Sequence, residues 1–452
     1  MILRSLILIL GITCHLGASA QQWQSLFNGR DLSNWEINGG KAKYEVVDGV
    51  IVGTAVTNTP NTFLCSSEQY TDFILEVDVL LPNHLNSGIQ FRSYVDNGVV
   101  KGYQCEIDPS DRAFSGGVYE EQLRGWLYPL SINEKARDAF KMGEWNTFRI
   151  ECFGSEIRTF INGQMCAYLV DDALTKGLIA LQVHSIDDSK KGYQVKWKNV
   201  RILTNDVEAN LNNIEPDVGQ VSFLKNDLTE WEKRNGWRLL WDGKSSTGWR
   251  GAKLDDFPES GWSIENGELT ILATDGGEST GPGDIVTTDK YSNFELELEF
   301  RITEGANSGI KYYVDPSLNK DTGSAIGCEF QVLDDKNHPD AKQGVNGNRT
   351  VGSLYDLITA ENLSVPGRNK QFKGVGEWNK ARIVAKNGEV EHWLNNEKVV
   401  EYDRFSQMFK ALVAYSKYKV WDNFGRWSEG SILLQDHGDE VSYRSIKIRE
   451  LN

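Results

Sequence analysis

An ordered series of matched segments occurs twice along the chain, and this constrains the fold more than composition does. NSGI stands at 86–89 and again at 307–310, and GEWN at 143–146 and again at 376–379. FNGRDLSNW at 27 answers WDGKSSTGW at 241, VVDGVI at 46 answers IENGEL at 264, and YTDFILEVDV at 70 answers YSNFELELEF at 291. GYQCEI at 102 is matched by GCEFQV at 327, GGVYEE at 116 by VGSLYDL at 351, and ALQVHS at 180 by LLQDHG at 433. Partners drift further apart toward the C-terminus, so the second copy carries the insertions. A unit of this length, far above the roughly 20 to 50 residues of a solenoid repeat, is a duplicated domain able to bury its own core.

Residues 1–20, MILRSLILILGITCHLGASA, combine an early Arg4, a short apolar run and a small-residue Ala18-Ser19-Ala20 end. They are expected to be a secretory signal, with the mature chain starting near Gln21, because the run is shorter than the ~18 to 20 residues that span a bilayer. The 48 Lys and Arg against 64 Asp and Glu leave a net charge of −16, which opposes nucleic acid and anionic lipid as partners. Of the five cysteines beyond the signal, Cys65, Cys105, Cys152 and Cys166 lie in the first copy and Cys328 in the second, at unmatched positions. Neither a shared disulfide framework nor a zinc spacing is present; Cys152 and Cys166 flank one hairpin, but small buried thiols are the expectation.

In FELELEFRI, Phe294, Leu296, Leu298, Phe300 and Ile302 alternate with Glu295, Glu297, Glu299 and Arg301. That period of two predicts a half-buried antiparallel strand. Its counterpart FILEVDVLL, from 73, alternates less cleanly and is expected to be covered on both faces. Hairpin turns are predicted at Asn162-Gly163 and Asn387-Gly388. Many short strands, frequent turn signals and few helical patterns predict an all-β chain of two antiparallel sandwiches with jelly-roll topology, at 21–204 and 237–452. The linker 205–236 should end in a short helix with Thr229 as N-cap, Glu232 closing a capping box and Gly236 at its end.

FNGRDLSNW, NSGIQFR, GYQCEID, GGVYEEQLRGWL, GEWNTFRI and IALQVH followed by WKNVRI resemble the 3-keto-disaccharide hydrolase family, also described as 3-keto-glucoside 1,2-lyase and 2-hydroxy-glucal hydratase domains. The second copy resembles it through WDGKSSTGW, GCEFQVLDDKNHPDA, GNRTVGSLYDL, VEHWLNN and ILLQDHGDEVSYRSIKIREL. The resemblance implies concanavalin-like sandwiches, export to the periplasm or surface of a Gram-negative bacterium, and action on oxidised glucosides. A ketone at sugar C3 acidifies the C2 hydrogen, so a base can form an enediolate, the C1 substituent can leave, and water can add back. This route needs a base, donors or a cation for the enediolate oxygens, and an acid for the leaving group. It differs from the paired-carboxylate route of ordinary glycosidases. The alternative is a lectin-like protein that holds glycans without chemistry.

Only His184 and His437 recur at matching positions, each two residues after Gln182 or Gln435, which in a strand places Gln and His on one face. They are candidates for base or proton shuttle, against a reading as structural histidines. Tyr119 with Glu120, and Tyr355 with Asp356, offer a phenol and an acid or base that can meet a sugar together, against a loop carboxylate capping backbone amides. Gln104, Glu106 and Asp108 share a face, as do Glu329 and Gln331. Glu106 answers Gln331, so either the copies bind different sugars or the position serves hydrogen bonding. Trp126, Trp421 and Trp427 can stack on sugar or pack a core. Arg92 and Arg124 can orient a ligand, but neither has an arginine counterpart; Tyr313 answers Arg92, and Arg124 can simply pair with Glu120 at the surface. DDKNHPD at 334–340 holds donors enough for a divalent metal, yet occurs once and reads as an ordinary turn; no other cofactor is suggested. His392 answers Thr159 and is expected to be structural.

Overall fold

A computed structural model describes residues 23–274, 283–318 and 323–451. The expected signal at 1–20 lies outside the described residues. No described helix is long and apolar enough to cross a membrane. Each copy folds as a β-sandwich with a separate apolar core. Among the described residues, a nine-stranded sheet, which includes the linker strand, faces a seven-stranded one in the first copy, and an eight-stranded sheet faces a five-stranded one in the second. The named ladders pair antiparallel, except that Val221–Ser222 of the linker adds parallel to Gln164–Val170.

The matched motifs hold the same bonds in both copies. The serine of NSGI donates to the glutamine carbonyl on the next strand, Ser87 to Gln182 and Ser308 to Gln435, at 2.6 Å each. The asparagine of GEWN ties its own loop, Asn146 accepting from Lys141 N at 2.7 Å and Asn379 from Lys373 N at 2.9 Å. Trp35 and Trp249 donate their indole N–H to Leu26 O and Leu240 O, at 3.0 and 2.9 Å. Asn162-Gly163 and Asn387-Gly388 have positive φ at both residues, as two-residue hairpin turns of this kind require. The cysteines named above are all buried free thiols.

The strand Phe294–Ile302 forms as expected, but its polar face is not solvated. Glu295 accepts from Arg382 and Arg449 at 2.6 Å each, and Glu297 meets Lys380 at 3.0 Å and Lys447 at 3.2 Å. The helix Glu230–Arg234, with the expected Thr229–Glu232 capping box, lowers Glu232 onto Lys447. Burial opposes charge on Glu297, yet Lys380, Lys447 and Arg382 hold its carboxyl well below the usual range. Alternation marks which side chains share a face; here the cross-strand cations and the linker cover the charged one.

Candidate active site

The shorter sheet of each sandwich turns a polar face away from the core, and strand register aligns the two faces row by row. In the first domain Gln182, Gly88 and Glu106 are cross-strand neighbours, and the next row is Ala180, Gln90, Gln104 and Tyr119. In the second domain Gly309 pairs with Gln331 while Gln435 N bonds Gly309 O, and the next row is Leu433, Lys311 and Glu329. Gln104 therefore answers Glu329, Glu106 answers Gln331, and Gln90 answers Lys311. The motif glycine is required by this face: a Cβ on Gly88 would lie 2.2 Å from Gln104 Cδ, and one on Gly309 would lie 2.2 Å from Glu329 Oε1.

In the first domain the carboxylate is enclosed by amides. Asn86 donates to Glu106 Oε1 at 2.6 Å, Gln104 to Oε2 at 2.9 Å, and Gln90 to Gln104 at 2.8 Å. Burial pushes the Glu106 carboxyl up to about 7, against the lowering effect of those bonds. Gln182 is fully buried, and neither side-chain polar atom has a partner. His184 donates from Nδ1 to Ser185 O at 2.6 Å. Tyr119 packs edge-on against Trp126, whose ring lies under the Arg112 guanidinium at 4.8 Å; Arg112 in turn pairs with Asp108 at 2.7 Å.

Two groups expected here lie elsewhere. Glu120 follows Tyr119 in a strand and so points to the opposite face. It is 1 % exposed and bonded to Arg124 (2.5 Å), which also binds buried Asp171; Tyr103 donates to Asp171 at 2.6 Å. The expected sharing of a sugar by Tyr119 and Glu120 is thus corrected, and the Glu120–Arg124 pair is a buried network instead of a surface bond. Arg92 is fully enclosed and donates to Thr71 O at 2.7 Å, while its counterpart Tyr313 donates to the equivalent carbonyl, Ser292 O, at 2.6 Å. Both residues have positive φ, so the position anchors a bulge and Arg92 does not reach the polar face. His392 is likewise structural: its Nδ1 donates to Gly352 O at 2.9 Å, and Thr159 donates to the matching Gly116 O. Burial lowers its pKa to about 4.

The second domain's face is richer in ionisable groups. Gln331, with its amide nitrogen turned toward the strand, reaches Glu329 Oε1 at 3.3 Å, and Lys311 stands 3.7 Å from Glu329 Oε2. A cavity of about 200 Å³ opens beside Lys311, lined also by Ser324, Lys417, Tyr418 and Trp421. Trp427 packs on Phe424. Tyr355 donates to Asp340 Oδ2 at 2.7 Å, and Arg349 bridges Asp340 and Asp356 at 2.8 Å each. Burial and the bond to Asp340 keep the Tyr355 phenol protonated, its pKa well above the ordinary value. Burial opposes charge on Asp340, but Tyr355 and Arg349 hold its carboxyl low. Tyr355 and Asp356 thus share one network through Arg349, unlike Tyr119 and Glu120.

In the DDKNHPD loop, Asp334 accepts from Gly305 N and Asn337, and Asp335 from Val351 N while pairing with Lys370. These carboxylates do the work of an ordinary turn, as expected. His338 instead faces His437, the rings 6.0 Å apart and edge-on, with Asp439 beside them. Burial and His437 lower the His338 pKa. His338, His437 and Asp439 are the group of described residues placed to hold a cation. The repeat hides this group, since Ile186 stands two residues after His184 where Asp439 stands two after His437.

A family model for the 3-keto-alpha-glucoside-1,2-lyase-like domain matches residues 22–203 and again 236–449. A 3-keto-disaccharide hydrolase of Bacteroides thetaiotaomicron is 39% identical over 238 residues, covering 48% of this chain and 79% of the relative. A solved structure from Parabacteroides distasonis, described provisionally as a glycosyl hydrolase, is 32% identical and covers 50% of this chain and 100% of its own, with a TM-score of 0.44. The carbohydrate-binding module CBM66 of Bacillus subtilis is 14% identical and covers 38% of this chain and 95% of its own, with a TM-score of 0.28.

Proposed function

Because the chain belongs to the 3-keto-alpha-glucoside-1,2-lyase-like family and is by that class a glycoside-cleaving enzyme, we propose that it cleaves 3-keto-glucosides and 3-keto-disaccharides on the polar face of its second domain. The observation that carries this reading is the asymmetry of the two faces. The second joins a carboxylate beside a lysine, a phenol bonded to a carboxylate, and two imidazoles; the first holds an amide-enclosed Glu106 and the single His184.

Asp340 and Asp356 are tied to Arg349, and Glu329, on the sheet face beside Lys311, is the carboxylate that accepts the C2 proton. The C–H electron pair becomes the C2–C3 enediolate, whose oxygens face the His338–His437 end. The enediolate then expels the C1 substituent, the C1–O electron pair leaving with the departing oxygen, which takes the Tyr355 proton. Water adds its hydroxyl to C1 and gives its other proton to the Tyr355 phenolate, while a proton returns to C2 from Glu329, completing net hydrolysis. His437 thus keeps a catalytic role, acting on the substrate's oxygens; Gln331 and Gln435 lie between the two ends and bind hydroxyls. The cavity beside Lys311 and Trp421 receives part of the substrate.

The first domain supports a different reading, a sugar-binding module without chemistry, with Tyr119, Trp126, Glu106 and His184 as its contact residues; the fully buried Gln182 is not one of them. The protein acts after export to the periplasm or cell surface of a Gram-negative bacterium, which N-terminal sequencing of the fractionated protein tests. The function is tested by following product from a 3-keto-glucoside, with and without divalent metals, for wild type, Glu329→Gln and His437→Ala. Sugar bound but left intact by the wild type in both conditions would sink the reading.

A further inference from the structure

We propose that the second domain binds one divalent transition-metal ion through His338, His437 and Asp439. Nitrogen and oxygen donors of the three residues all lie within 4.8 Å of one another, and each residue is half-buried. They come from two separate segments that the fold pins in place. His338 leads the short turn Pro339–Lys342, with its backbone N–H bonded to Asp334 O at 3.0 Å. His437 and Asp439 flank Gly438, whose φ is +88°, in a turn anchored by buried Asp436. Asp436 N donates to Asp284 at 3.0 Å, and its carboxylate accepts from Gly438 N at 3.0 Å and Gly283 N at 3.2 Å. Asp439 Oδ2 accepts from Asn307 N at 2.9 Å, which orients the carboxylate and keeps Oδ1 available.

Two imidazoles and one carboxylate are a donor set for manganese, iron, cobalt, nickel or zinc, and a poor one for calcium or magnesium. Three protein ligands leave coordination positions open, as a catalytic site needs. A bound ion at about 2.1 Å holds neighbouring ligand atoms roughly 3 to 4 Å apart, so side-chain shifts of about an ångström close the group. Either ring nitrogen of His338 can serve. Nδ1 exchanges its 3.2 Å bond from the Asp340 amide for the ion, and Nε2 binds once the ring proton moves to Nδ1. The first domain differs: His184 Nδ1 is held by Ser185 O, and among the described residues His184 belongs to no group of three such ligands.

The site rests on the proposed function only for its purpose, since an ion there would polarise the C3 ketone and carry enediolate charge. Its binding is measured apart from turnover. The full-length chain, stripped by chelator, is titrated with Co²⁺ by calorimetry and visible absorption, with Mg²⁺ and Ca²⁺ as contrasts. One Co²⁺ per chain is expected, with His184→Ala unchanged and His338→Ala and Asp439→Asn weakened about a hundredfold or more. Saturating Co²⁺ should also raise the wild-type melting temperature, a check that needs no variant to fold. No Co²⁺, Mn²⁺ or Zn²⁺ bound tighter than about 1 mM, an unmoved melting temperature, or unchanged affinity in both variants would overturn the site. Cleavage by metal-free protein would overturn the site's purpose and leave the proposed function standing. A bound metal with no cleavage would leave the site standing and overturn the function.

Discussion

In the first domain Gln104 donates an amide N–H to Glu106, and in the second the Gln331 amide, once its nitrogen is turned from Asn307, can donate to Glu329. The two faces share a lattice and exchange donor and acceptor across one row. With the exchange, the carboxylate moves from beside Asn86 to beside Lys311, where the first domain has Gln90. Burial raises the pKa of the first carboxyl to about 7, against the lowering effect of its amide donors. The second faces a lysine that lines a cavity. The frame is the same in both domains, and the charge sits one row apart with different neighbours.

The sharpest way to break this contrast is to remove the matched histidines. His437→Ala is expected to lower kcat/KM for a 3-keto-glucoside by at least about a hundredfold, and His184→Ala by less than about threefold. Equal losses would place the chemistry in both domains. The long sheets offer a stability contrast measured by urea unfolding. Glu232→Ala uncovers Lys447 at a buried cluster and should cost about 3 kcal/mol, whereas Glu76→Ala, beside the half-exposed Arg201, should cost about 1 kcal/mol.

Glu106 adds a pH dependence that Gln331 lacks. Its folded pKa, pushed to about 7, lies above the ordinary 4.5, so the folded state holds the proton between those values while the unfolded chain has released it. Stability from this group is fully present below about pH 4.5 and is lost as pH rises through 7, by up to about 3 kcal/mol. Glu106→Gln should flatten that slope in denaturation curves taken from pH 4.5 to 8; an unaltered slope would assign it to other groups. The smallest effect expected is from Gln182→Met. The amide is buried without partners, so the substitution should stabilise by about 1 kcal/mol in the same assay, and a loss of stability would show that Gln182 has a partner in solution.

The motifs that reveal the duplication are largely the bonds that hold it. Ser87 and Ser308, Asn146 and Asn379, and Trp35 and Trp249 recur because the same backbone groups need the same donors. Alternation located the strand Phe294–Ile302, but the fate of its glutamates depended on Arg382, Lys447 and Arg449, which are far away in the chain. Repetition in the sequence marks Tyr119-Glu120, whose members point to opposite faces, and passes over His338, Arg349 and Asp439, which occur once.

From the order of its residues alone, the chain determined two antiparallel sandwiches, the capped linker helix, the hairpin turns and the family. Each of these depends on neighbours in sequence or on a pattern repeated whole: side-chain period, turn chemistry, capping spacing. The tertiary structure decided which of the paired positions differ in their surroundings. Whether a carboxylate meets an amide, an arginine or a lysine is set by strand register and by loops converging from distant segments. His338 and His437, about a hundred residues apart in the chain, meet only because Asp334 and Asp436 pin two separate turns at the end of one sheet.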